Sequence, residues 1–204
     1  ITLGIIGGGQ LGSMLAIAAK KLGVNTIVFC DDLDAPAQNF CNKFVCSDYT
    51  DKDSIIEFVN QVDLVTYEFE NIPYETLSEI NKLKIVLPKP SVNRLIQHRL
   101  AEKDFVNKLN IRTTRYVSIK KKSEIEALDD FLPGILKTVT LGYDGKGQYP
   151  INSIDELNNL NIDFSKGYIL EKLVKLKKEI SIIITRFDNS KYEIYEPIEN
   201  THQD

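Results

Sequence analysis

At 204 residues with 43% hydrophobic content, the chain is long enough to bury one large core or two modest ones, and its formal net charge of −4 argues against a duplex nucleic-acid partner, which calls for a basic surplus. No apolar run reaches the roughly eighteen residues that span a bilayer, and no basic leader with a cleavage site is visible. Cys30, Cys41 and Cys46 show no CxxC spacing, so the sequence reads as a soluble cytoplasmic protein with reduced thiols and no membrane partner.

Along the first ninety or so residues, short apolar strands alternate with helical stretches. Strands are predicted at Thr2–Ile6, Asn25–Cys30, Asp63–Tyr67 and Lys84–Leu87, and helices at Gln10–Leu22, Asp51–Gln61 and Tyr74–Leu83. Asp51 and Asp53 suit the positive end of their helix. This alternation implies the α/β class, with a Rossmann-like parallel sheet covered on both faces. Pro88 and Pro90 break the pattern, and Arg94–Leu109 reads as a charged amphipathic connection with His98 on its surface. A smaller unit follows, from about Arg112 to Lys172. It holds two strands flanking a helix near Ser123–Phe131, a glycine-rich loop, and a second helix near Ser153–Leu160. From Glu179, Ile180–Arg186 and Lys191–Glu196 read as an antiparallel hairpin joined by Asp188-Asn189-Ser190. The expected division is 1–97, 98–172 and 173–204.

Three segments carry chemistry. Gly7-Gly8-Gly9-Gln10-Leu11-Gly12 satisfies G-x-G-x-x-G between a strand and a helix, with Asp31 and Asp32 about twenty residues on. By itself that supports a nicotinamide oxidoreductase. The underlying physics is broader, because helix N-terminal amides receive a nucleotide monophosphate as well as a pyrophosphate. The glycines also serve close strand–helix packing alone. Thr66-Tyr67-Glu68-Phe69-Glu70-Asn71 follows a strand at the carboxyl edge of the sheet, where glutamates can hold ribose hydroxyls or simply be solvated. Gly142-Tyr143-Asp144-Gly145-Lys146-Gly147-Gln148 is either a hairpin turn or a flap over polyphosphate, in which backbone amides turn to the anion and Lys146 follows its terminal phosphate. It lies between Gly134-Ile135-Leu136-Lys137, a strand ending in a lysine, and Tyr168-Ile169-Leu170-Glu171-Lys172, a strand carrying a carboxylate. That order can build an ATP cleft.

Taken with Glu199-Asn200-Thr201-His202-Gln203-Asp204, these motifs occur in the order found in the ATP-grasp family of 5-(carboxyamino)imidazole ribonucleotide synthases of purine biosynthesis, whose N-terminal part the chain resembles. Ser13 stands where that family often has an arginine. The resemblance implies an ATP-grasp small domain and the start of the third ATP-grasp domain after the Rossmann-like one. It also implies an ATP-dependent carbon–nitrogen ligase that joins bicarbonate to 5-aminoimidazole ribonucleotide through carboxyphosphate. By similarity, Lys137, Tyr143, Asp144 and Lys146 would serve the reaction. ATP would meet Arg99, Lys137, the loop from Gly142 through Gly145 and Gly147 to Gln148, Glu171, Lys172, Leu173, Val174, Glu179 and His202. Gly9, Gln10, Leu11, Glu68 and Asn71 would face the ribonucleotide, with Tyr143 and Asp144 reaching it from the flap. The family's Mg²⁺ ligands would lie beyond Asp204, so the resemblance implies that this chain alone is incomplete and inactive, and it implies a homodimer. Another ATP-grasp ligase, and a nucleotide-binding protein without activity, are the competing readings.

Overall fold

The structure, a computed structural model, describes residues 1–142, 147–188 and 190–201, apart from the Glu126 side chain. The first unit runs β1 (Thr2–Ile6), α1 (Gln10–Lys21), β2 (Asn25–Cys30), β3 (Lys43–Cys46), α2 (Lys52–Asn60), β4 (Leu64–Tyr67) and α3 (Tyr74–Leu83). Its strands form one parallel sheet in the order β3-β2-β1-β4. Because strand side chains alternate faces, Ile6, Ile27 and Phe29 pack with Phe58 of α2 and Leu77 of α3 on one side. Ile5 and Val28 pack with Ala16 of α1 on the other. Helices therefore cover both faces, as the strand–helix alternation predicts. Gly4 in the middle of β1 is part of this packing, since a Cβ there would lie 2.6 Å from the Phe58 ring. Asp51 caps α2, accepting from the backbone N–H groups of Asp53 and Ser54.

Two expectations for this unit are corrected. β3 is a further strand, paired with β2 from Ile27↔Lys43 to Cys30↔Cys46. It is four residues long and only partly buried, so it carries little of the apolar signal by which strands are read. Conversely, Lys84–Leu87 forms no full strand. It touches the sheet through one parallel bridge, Val65↔Val86, while Ile85 and Leu87 stay exposed and Pro88 ends the pairing.

The expected amphipathic run Arg94–Leu109 is two helices, α4 (Pro90–Ile96) and α5 (Arg99–Lys108). His98 is not on a helix surface but is the cap of α5, with extended backbone and its Nδ1 accepting from the Ala101 N–H at 3.4 Å. Helix α4 also fastens the loop that follows β4. Asn93 Nδ2 donates to the Ile72 carbonyl at 3.1 Å, and Gln97 Nε2 donates to the carbonyls of Glu70 and Ile72, each at 2.7 Å. Asn93 is fully buried, so Asn93→Ala is expected to cost about 1–3 kcal/mol, read as a lower urea midpoint at an unchanged m-value.

The second unit is an antiparallel sheet ordered β5-β8-β6-β7, formed by β5 (Tyr116–Ile119), β6 (Gly134–Thr138), β7 (Gln148–Ile151) and β8 (Tyr168–Lys172). Its core gathers Ile119, Ile125, Leu136, Leu157 and Leu170. Helix α6 (Ile154–Asn159) begins at Ser153, whose Oγ accepts from the Glu156 N–H. The helix expected near Ser123–Phe131 is instead two 3₁₀ turns, Lys122–Ala127 and Asp129–Phe131. Pro133 forces Leu132 into extended geometry and stops any longer helix.

The single hairpin expected after Glu179 resolves into two antiparallel pairs. β10 (Ile184–Arg186) pairs with β11 (Tyr192–Ile194), and β9 (Glu179–Ser181) pairs with β12 (Ile198–Asn200). Pro197 has no N–H to donate and separates β11 from β12.

Candidate functional site

The turn from β1 into α1 cannot be built without glycine. Gly7 sits at φ +105°, and a Cβ there would come within 2.8 Å of Glu68 Oε1. A Cβ at Gly12 would lie 2.6 Å from the Gly7 carbonyl oxygen, so this glycine lets α1 start directly against the turn. The Gly9 N–H donates to Glu68 Oε1 at 2.9 Å. Glu68 extends from the end of β4, and its backbone N–H donates to the Ile6 carbonyl, which places it beside the loop. Ser13 is buried and its Oγ donates to the Gly9 carbonyl at 3.0 Å, so this side chain turns back onto its own helix. No side chain caps α1, and Gln10 and Leu11 at its first turn are exposed.

A cleft of about 680 Å³ separates the two units. Glu68, Phe69, Glu70 and Asn71 line it from the first unit, and Val139, Thr140, Leu141 and Gly142 from the second. Ile96, Gln97, Arg99 and Glu102 form its floor from α4 and α5. Arg99 is locked in place. Its backbone N–H donates to the Val139 carbonyl at 2.9 Å, Nε to the Thr138 carbonyl at 3.1 Å, and the guanidinium also to the Gly142 carbonyl.

Beside this cleft, a cavity of about 320 Å³ is lined by Arg99, Glu102, Lys103, Lys137 and Glu171, among others. The sheet register sets Ile135 opposite Glu171, so Lys137, two residues along β6, shares its face. Lys137 Nζ lies 2.8 Å from Glu171 Oε2, and Lys103 Nζ lies 3.1 Å from Glu171 Oε1. Burial pushes the Glu171 carboxyl up, but the hydrogen bond from Lys137 and the charges of both lysines outweigh it and hold the group below the usual carboxylate range.

The loop between β6 and β7 joins antiparallel neighbours, so the hairpin reading and the flap reading both describe its connectivity. Gly147, at φ +67°, accepts from the Thr138 N–H at 3.0 Å, and Gln148 is the first residue of β7, opposite Lys137. Tyr143, Asp144, Gly145 and Lys146 lie outside the described residues, as does His202.

The remaining expected residues are more dispersed. Lys172 sends Nζ to the Asp130 carbonyl at 2.6 Å and so turns away from the lysine–carboxylate cluster. Its own carbonyl accepts from Thr114 Oγ1, and Leu173 and Val174 beyond it are exposed. Glu179 stands on the β9–β12 pair, where Oε1 accepts from Asn200 Nδ2 at 2.9 Å. Among the described residues, no group of three or more carboxylate, histidine or cysteine side chains is placed to hold a metal. The residues missed from sequence are Lys103, Asn93 and Gln97. For Lys103 a signal existed, because its spacing four residues after Arg99 puts both on one face of α5.

Residues 1–97 match the ribonucleotide synthetase preATP-grasp domain, and residues 104–204 match the ATP-grasp domain. The chain is 36% identical, over all of its length and 58% of the relative's, to an N5-carboxyaminoimidazole ribonucleotide synthase of Brucella melitensis. A structure of N5-carboxyaminoimidazole synthetase from Staphylococcus aureus complexed with ADP is 32% identical, with a TM-score of 0.90 over 99% of this chain and 55% of that one. The Thermus thermophilus synthetase is 30% identical with a TM-score of 0.89, over 98% of this chain and 55% of that one. The chain therefore spans a little over half the length of the proteins it matches.

Proposed function

We propose, from the premise that this chain belongs to the ATP-grasp ribonucleotide synthetases, that the full-length protein carboxylates 5-aminoimidazole ribonucleotide with bicarbonate and ATP. ATP phosphorylates bicarbonate to carboxyphosphate, and the exocyclic amine takes up the carboxyl group as ADP and phosphate leave. The observation that carries this reading is the set Arg99, Lys137 and Glu171 in one cavity, Arg99 and Lys137 beside the start of the 139–148 connection, next to a cleft whose other wall holds Glu68 and Asn71.

Such a reaction needs little covalent participation by the protein. Catalysis comes from positioning and from cations set against charge spreading over the transferred phosphoryl oxygens. In our reading Lys137 meets the ATP phosphate, Arg99 fixes the start of the flap, and Lys146 follows the terminal phosphate. Tyr143 and Asp144 reach toward the ribonucleotide. Glu171 through Val174 take the adenine end, Glu179 a ribose hydroxyl and His202 the phosphate end. Gly9, Gln10 and Leu11, at the start of α1, and Glu68 and Asn71, after β4, face the ribonucleotide. Mg²⁺ accompanies ATP, and none of the described residues is assigned to it. The division 1–97, 98–172 and 173–204, a cytoplasmic location and a homodimer complete the proposal. A nicotinamide dinucleotide rests on the first glycine motif alone and leaves the Lys137–Glu171 pair beneath the second glycine-rich segment without a role.

Calorimetric titration of the full-length protein is expected to show ATP·Mg binding without NAD binding, and its ATP turnover should require bicarbonate and rise with 5-aminoimidazole ribonucleotide. Micromolar NAD binding without ATP binding would reject the ligase reading. Turnover insensitive to the ribonucleotide would reject the substrate and leave ATP-grasp chemistry standing.

A further inference from the structure

We propose that Lys103 is a positioning residue of the nucleotide site, a second cation that keeps Glu171 paired and in place when Lys137 turns from Glu171 to the ATP phosphates. The proposal rests on the ATP-binding reading above and adds a residue to it.

Glu171 is 8% exposed, and each of its carboxylate oxygens has its own lysine, Lys137 on Oε2 and Lys103 on Oε1. One lysine would neutralise one carboxylate. The second leaves the group with a surplus positive charge among side chains that are only 17% and 18% accessible, a costly arrangement unless an anion completes it. The surplus persists when the other charges lining the cavity among the described residues are included, since Arg99, Lys103 and Lys137 there face Glu102 and Glu171.

The geometry also says which lysine moves and which stays. Lys137 lies near the end of β6, two residues before the 139–142 segment that lines the cleft, and so is nearer along the chain than Lys103 to the proposed phosphate site. Lys103 projects from the middle of α5, one turn after Arg99, whose contacts to Thr138 and Gly142 fix the helix against the sheet. Its ammonium also stands 5.6 Å from the centre of the Tyr116 ring, a second favourable contact on the β5 side. Like charges four residues apart on a helix repel, so the Arg99–Lys103 spacing is sustained by separate acceptors on the sheet, backbone carbonyls for one and Glu171 for the other. With Lys103 absent, Lys137 could engage phosphate only by leaving a buried carboxylate unpaired. Nucleotide binding would then carry that penalty.

The test is ATP titration of the full-length protein carrying Lys103→Met, which keeps the apolar stem and removes the charge. ATP affinity is expected to fall roughly ten-fold or more while 5-aminoimidazole ribonucleotide affinity stays within about two-fold, and Lys103→Arg is expected to restore most of the loss. A glutamine at 171 needs no counter-charge, so adding Lys103→Met to Glu171→Gln should change ATP affinity less than about two-fold from Glu171→Gln alone. This double variant decides the matter where the single one does not fold. Unchanged ATP affinity in Lys103→Met, no rescue by arginine, or a full further loss in the double variant would overturn the role of Lys103 while the unmodified protein still binds ATP. Failure of the unmodified protein to bind ATP would instead overturn the functional reading, and this inference with it.

Discussion

Replacing Lys137 by alanine is expected to raise the ATP concentration that the full-length protein requires by roughly ten- to a hundred-fold, and to slow ATP turnover by about 10²–10³. The first effect is the loss of one charge-assisted hydrogen bond to phosphate, worth about 1.5–3 kcal/mol. The second is larger because the charge on the transferred phosphoryl group grows toward the transition state, where a fixed cation in a shielded site has most influence. Folding should survive the substitution, since Glu171 retains Lys103 at 3.1 Å as its remaining partner. Ribonucleotide affinity should stay within about two-fold, because Glu68 and Asn71, proposed to face the ribonucleotide, line the other wall of the cleft. Steady-state kinetics with varied ATP, alongside calorimetry with each ligand, separates these effects. An unchanged ATP requirement would remove Lys137 from the nucleotide site.

The sequence made the parallel unit legible because its strands are contiguous apolar runs punctuated by glycine and proline. Thr2–Ile6, Asn25–Cys30 and Tyr74–Leu83 coincide with their observed bounds. Tyr168–Lys172 does so in the second unit for the same reason, its first four residues being buried. Legibility failed where burial is partial or where geometry is decided by neighbours. β3 has no fully buried residue to announce it, and Lys84–Leu87 has β-forming residues but an alternating exposure that buries only the Val86 side chain. The break at His98 was hidden because charged residues continue on both sides of it, and only the extended backbone of the cap separates the two helices.

The site divides along similar lines. Lysine before a glycine-rich connection and carboxylate after it are local patterns, and they pointed to the Lys137–Glu171 pair that the sheet register brings together. Lys103 reaches the same carboxylate from a helix distant in sequence, so its spacing from Arg99 marks the helix face it shares but not the acceptor it meets. The clamp on the loop after β4 is equally non-local. Asn93 and Gln97 look like ordinary polar helix residues until their amides are seen on the carbonyls of Glu70 and Ile72. Glu68 is legible from its place after a strand at the carboxyl edge of the sheet, but its hold on Gly9 depends on how closely β4 runs beside β1.

That hold makes Glu68 the most informative residue on the ribonucleotide side. Glu68→Ala is expected to weaken 5-aminoimidazole ribonucleotide binding by roughly ten- to a hundred-fold, with ATP affinity within about two-fold of the unmodified protein. Two losses combine in this variant. The Gly9 N–H loses its acceptor at 2.9 Å, and the space beside Gly7 and Gly12 that the carboxylate fills, 2.8 and 3.4 Å from where their Cβ atoms would stand, becomes empty. The turn presenting the first amides of α1 would then be free to shift, and a shift of about 1 Å in a positioning element is enough to cost much of the binding and rate that depend on it. Glu68→Gln separates the components, because its amide oxygen still accepts from Gly9 and its volume is nearly unchanged. It should therefore be milder than alanine if loop geometry dominates, and as damaging as alanine if the negative charge itself meets the sugar. Titration of the full-length variants with the ribonucleotide and with ATP distinguishes the two. Equal loss of both ligands, or no loss of either in Glu68→Ala, would remove this glutamate from the ribonucleotide site.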